Sequence, residues 1–88
     1  MNKCLKIMIQ GTFTEKFLID VIQRSAKRCS IEGTGRLMPE GIQLMVCGSK
    51  EKVDSFVTVL YTEVDESDVV LEPFIKERDF RGIFRIIV

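Results

Sequence analysis

The side chains with chemical reach are few, and one type is missing. No histidine occurs among the 88 residues. That removes imidazole acid–base catalysis, Ser-His-Asp and Cys-His arrangements, and every histidine-containing metal site. The three cysteines, Cys4, Cys29 and Cys47, stand far apart and none forms a C-x-x-C pair, so a zinc or thioredoxin-like reading has no support. Their odd number and wide spacing predict free thiols in a reducing cytoplasm. Cys4, Met8, Met45 and Cys47 could offer soft ligands to a thiophilic metal. Without motif spacing, a sulfur-rich sheet surface is the expectation, and neither a metal nor another cofactor is assigned.

Two further groups could hold an anion. Thr12, Thr14 and Lys16 precede an apolar-periodic segment, where a helix N-terminus offers free N–H groups. Glu15 in the same segment completes a cap, so an ordinary helix start with a solvated lysine is the favoured reading. Lys76, Arg78, Arg81 and Arg85 cluster near the C-terminus and could meet phosphates. Glu72, Glu77 and Asp79 are interleaved with them, which favours a salt-bridged, solvated edge.

Charge and composition narrow the class. Lys+Arg and Asp+Glu both number 13, which argues against a dedicated nucleic-acid binder. Hydrophobic residues make up 45% and charged residues 30%, the balance of an ordinary globular domain. The length has room for one core, so residues 1–88 are expected to form one domain. No apolar run is long enough to span a membrane, and Met1 to Gln10 lacks the pattern of a signal peptide.

The elements that must position these residues follow from periodicity. Lys3 to Gln10 alternates as a strand, with Leu5, Ile7 and Ile9 on one face and Cys4, Lys6, Met8 and Gln10 on the other. Phe17 to Cys29 has helical spacing. Its cap is Thr12, paired with Glu15, or Thr14, with Phe13 stapled to Leu18. Glu32 to Gly48 reads as a hairpin turning at Pro39-Glu40-Gly41. Its first arm is weakened by Gly33 and Gly35. Ser49 caps a second helix to Thr62, built on Val53, Phe56, Val57 and Leu60. Val69 to Glu77 is a strand that Pro73 confines to an edge. Asp79 to Gly82 turns into a last strand, Ile83 to Val88, with Phe84, Ile86 and Val88 on one face. The order β-α-β-β-α-β, with a C-terminal strand added, predicts an α+β, ferredoxin-like (split β-α-β) sandwich, with two helices on one face of an antiparallel sheet.

Ala26-Lys27-Arg28-Cys29-Ser30-Ile31-Glu32-Gly33, then Gly41, Gly48, the Ser49-led helix and Phe84-Arg85-Ile86-Ile87, are in register with the acylphosphatase family, which the chain resembles over nearly its whole length. The resemblance implies an acylphosphatase-like fold with a Gly-rich phosphate loop, a phosphate-gripping arginine and a water-orienting asparagine. Here the loop falls on Gly11-Thr12-Phe13-Thr14-Glu15-Lys16-Phe17-Leu18-Ile19. Only Gly11 matches well; the arginine position reads Ile19 and the asparagine position Leu37. Arg36 is the nearest polar substitute.

The expected function is therefore that of an acylphosphatase-like protein that has lost catalysis. It would act by self-association or protein-partner binding through the open sheet face, where Met8, Met45, Cys47, Ile83 and Ile87 would stand. The alternatives are a weakly active hydrolase of carboxyl-phosphate bonds, using Lys16 or Arg36, and a small-ligand regulatory module.

Overall fold

Strand alternation sets the architecture. In the computed structural model, which describes residues 2–76 and 79–87, β1 spans Asn2–Gln10 and buries Leu5, Ile7 and Ile9. The first helix, α1, runs as an α-helical turn Glu15–Phe17, a π-helical stretch Leu18–Gln23 and an α-helical end Arg24–Arg28. Thr14 is its cap: the Phe17 N–H donates to Thr14 Oγ1 at 3.1 Å. Phe13 stacks on Phe17, with ring centroids 5.1 Å apart, and not on Leu18, which is drawn wholly into the core. Leu18, Ile22 and Ala26 are the buried residues of the helix. Residues four apart drift by about 40° per step around an α-helix. The wider π turn between them offsets that drift and keeps all three facing the sheet.

β2 (Glu32–Met38) and β3 (Gly41–Ser49) form the expected hairpin, with pairs running from Met38↔Gly41 to Glu32↔Cys47. Gly41 has φ +155°, and a Cβ there would run into the Ile9 carbonyl of the neighbouring strand. The glycines of β2 do not shorten it. A Cβ on Gly35 would lie 3.0 Å from Leu44 and from Phe84, so the bare backbone makes room for that aromatic ring. Ser49 caps the second helix, α2 (Lys50–Glu63), by accepting from the Lys52 N–H at 3.3 Å. Val53, Phe56, Val57 and Leu60 are its buried stripe. A short 3₁₀ turn, Glu66–Asp68, starts with Asp65 accepting from the Ser67 N–H.

β4 (Val69–Pro73) pairs with β1 and ends at the proline, and β5 (Phe84–Ile87) pairs with β2. The sheet order is β4-β1-β3-β2-β5. Both helices pack on one face, over Leu5, Ile7, Ile9, Ile42, Leu44 and Val46. This is the ferredoxin-like α+β sandwich, with one correction. The sheet is mixed, because β5 runs parallel to β2. Local patterning gives each strand's faces but not its direction, which depends on how the chain travels from β4 to β5. Glu77 and Val88, expected in the last two strands, and Arg78 of the basic cluster lie outside the described residues.

One ion pair ties β1 to α2, and a second, within α2, shares its carboxylate. Lys3 Nζ donates to Asp54 Oδ1 at 2.8 Å and Lys50 Nζ to Oδ2 at 2.9 Å. The hydrogen bond from Lys3, then that from Lys50, holds the Asp54 carboxyl below the usual carboxylate range.

Two outcomes follow. Gly41→Ala should lower unfolding stability by at least about 2 kcal/mol in urea melts, through the disallowed backbone and the carbonyl clash. Asp54 stabilises the fold above its ordinary pKa, and that contribution fades as pH falls through its lowered folded value. Asp54→Asn should therefore lower stability slightly at neutral pH, less so in high salt, and flatten the loss of stability below about pH 4. Urea melts across pH check both signs.

Candidate functional site

The segment where an anion loop would lie is a capped helix start. The Gly11 N–H donates to the Glu40 carbonyl at 2.9 Å, and the Leu18 N–H to the Thr14 carbonyl at 3.2 Å. Thr12, Thr14 and Lys16 are exposed, with Glu15 among them in the first turn. A cleft of about 230 Å³ lies beside this helix start, lined by Glu15, Leu18, Arg36, Leu37, Ile86 and Ile87. The four anion candidates therefore do not converge. Arg36 reaches the cleft, whereas Thr12, Thr14 and Lys16 do not line it.

The face opposite the helices reads as transverse rows set by strand register. One row runs Cys4, Cys47, Glu32. The next runs Glu72, Lys6, Met45, Thr34, Arg85, and a third Val70, Met8, Gln43, Arg36, Ile87. This face is not open throughout. β4 and β5 are opposite edges of a five-stranded sheet, so the connection spans about 19 Å at roughly 4.8 Å per strand gap. Helices occupy the other face, and the described residues 74–76 and 79–83 lie over this one. Lys76 Nζ donates to Glu32 Oε2 at 3.0 Å and sits 5.8 Å from the Phe80 ring centroid. Phe80 is buried. Between this crossing and the sheet lies a trough of about 750 Å³. Thr34, Arg36, Gln43, Met45 and Ile87 line it on the sheet side, and Pro73, Phe74, Ile75 and Phe80 on the other.

No protein-family model matches the chain, and no curated protein matches it. Solved structures do. An acylphosphatase from Coxiella burnetii is similar at 17% identity and a TM-score of 0.81, covering 98% of this chain and 93% of that one. The acylphosphatase from Bacillus subtilis is similar at 15% identity and a TM-score of 0.82, over the full length of both. The chain has the acylphosphatase-like fold. It also resembles 12% of the much longer T. kodakarensis HypF, at 18% identity and a TM-score of 0.79, with all of this chain covered. Ile19 and Leu37, expected from the resemblance at the arginine and asparagine positions, are each 40% exposed.

The expected interaction face needs two corrections. Cys47 is only 3% exposed, because it pairs with Cys4 and lies in the row the crossing covers. Cys4 and Cys47 form a disulfide, and Cys29 is the free cysteine. They stand 43 positions apart in sequence, yet antiparallel pairing sets them opposite each other, with Cα atoms 4.2 Å apart. The free-thiol reading therefore holds for Cys29 alone, and the cysteines give no argument for a reducing compartment. Two of the four sulfur atoms considered as metal ligands are bonded to each other. Met8, Met45 and Ile87 are half-buried and Ile83 is exposed. Among the described residues, no helix is long and apolar enough to cross a membrane. Sequence reasoning missed Phe74 and Phe80; the available signal was an aromatic, Phe80, inside a connection read as a turn.

Denatured, unreduced protein should titrate one thiol, and three after reduction. For a loop of 43 residues, the chain-entropy model gives the bond about 4 kcal/mol. Reduction, or Cys4→Ser with Cys47→Ser, should lower unfolding stability by up to that amount in denaturant melts.

Proposed function

We propose that this chain is an acylphosphatase-like domain that binds and does not hydrolyse, and that it binds through the sheet face opposite the helices. The observation that carries this reading is the chemistry at Ile19 and Leu37. Hydrolysis of an acyl phosphate needs an anion cradle and a group that orients water. Arginine serves the first by forking onto two phosphate oxygens, and an aliphatic side chain can serve neither. Glu15 and Leu37 line the same cleft. Two like charges about 4 Å apart oppose each other by roughly 4 kcal/mol at a surface-like dielectric, so Glu15 would offset the attraction that Arg36 of the same cleft offers a phosphate. A fold carries no activity without its site.

Self-association through the same face is a second form of this reading. The exposure of Val70 at 53% and Ile75 at 87% favours it. Light scattering at high protein concentration would then report a mass above that of one chain, and Val70→Glu should return it to that of one chain.

Acetyl phosphate and benzoyl phosphate should disappear no faster with the protein than in buffer, and Lys16→Ala and Arg36→Ala should leave the rates unchanged. Turnover that vanishes in either variant would overturn the reading in favour of a weak carboxyl-phosphate hydrolase.

A further inference from the structure

We propose that the trough between the sheet and the crossing residues 74–76 and 79–83 is a binding site for a small organic anion with an apolar body, and that Arg36 grips its charged end. This deepens the binding reading above and rests on it. The trough measures about 750 Å³, within the range of small-molecule sites, which are mostly apolar with a few convergent polar groups. Phe74, Phe80 and Ile75 form one apolar side. Phe80 is a fixed wall: it is buried, and the Lys76–Glu32 ion pair holds the crossing against β2 beside it. Ile75, at 87% exposure, is the most exposed of the large apolar side chains among the described residues, and it stands on the lining where a ligand's apolar body would cover it.

Charge selects the ligand. The whole chain is neutral, but the rows under the trough are not. Lys6, Arg36 and Arg85 lie on them, and Glu72 is their one carboxylate, set on the edge strand opposite Lys6. Glu32, in the next row, is taken by Lys76. Arg36 makes no ion pair among the described residues, although Glu15 borders the neighbouring cleft. Thr34 and Gln43 flank Arg36 on the sheet with no side-chain hydrogen bond among the described residues. A guanidinium with two amide or hydroxyl neighbours matches a carboxylate or phosphate head, and the aromatic wall matches an apolar body.

The test uses 8-anilinonaphthalene-1-sulfonate, whose fluorescence reports binding, beside its uncharged analogue N-phenyl-1-naphthylamine. The intact protein should bind the sulfonate saturably. Arg36→Gln, at an exposed position, should weaken it about tenfold or more, as loss of a charge-assisted hydrogen bond does, while the uncharged analogue binds as before. Ile75→Glu, which sets a carboxylate on the lining at an exposed position, should weaken the sulfonate too. Arg24→Gln on α1, away from the face, should change nothing. Decanoate and decyl phosphate should compete with the sulfonate, and the stronger competitor names the head group. The proposal is overturned if no saturable signal appears, if neither competitor displaces the probe, or if Arg24→Gln costs as much as Arg36→Gln. It is also overturned if Arg36→Gln weakens both probes equally. Acyl-phosphate turnover would defeat the non-hydrolytic reading, whereas absent or Arg36-independent probe binding would defeat this site alone.

Discussion

The two-residue alternation of β1 and β3 is the constraint from which the rest follows. These strands are neighbours near the middle of the sheet. Leu5, Ile7 and Ile9 face the same way as Ile42, Leu44 and Val46, and all six are buried. A slip of one residue would send every one of them to the other face, so the register is held by the whole core at once. Two amphipathic helices then have one place to go. The same alternation commits Lys6, Met8, Gln43 and Met45 to the opposite face.

That opposite face takes its character from strand order. With β4 and β5 at opposite edges, the chain between them must cross the sheet on the side the helices leave free. It carries Phe74 and Phe80 with it, covers the Cys4–Cys47 row and leaves a trough over the two rows beyond. A surface that alternation alone would make bare is thus divided into a closed part and a lined one. The basic residues of those two rows come from three strands, Lys6 from β1, Arg36 from β2 and Arg85 from β5, and of the three Arg36 lines the trough. A locally positive face therefore arises in a chain with no net charge.

On the binding reading proposed above, fold and chemistry separate at the start of α1. The acylphosphatase-like frame needs an apolar helix stripe and a turn after β1, and Leu18, Ile22 and Ala26 supply the stripe. A phosphate site would need glycine freedom between Gly11 and Ile19, which this segment lacks. Phe13 stacked on Phe17 and the Thr14 cap are what a stable helix start asks for, and they are indifferent to phosphate. Core packing can thus be kept while the residues over it change.

What the sequence determined by itself is everything governed by neighbours a few residues apart. Period-two and helical spacing, the Ser49 cap, the Pro39–Gly41 turn and the edge position of the Pro73 strand are local in origin, because backbone sterics and capping hydrogen bonds act over one or two turns of chain. The tertiary structure alone decided the parallel direction of β5, the full length of a glycine-bearing β2, the π turn in α1, the Cys4–Cys47 bond and the trough. Each depends on atoms that are distant in sequence. Gly35 needs the ring of Phe84, Cys4 needs the register of β3, and Arg36 meets the wall that Phe80 provides only after the chain has crossed the sheet. No periodicity encodes such meetings, because they are set by where closed loops bring the chain back together.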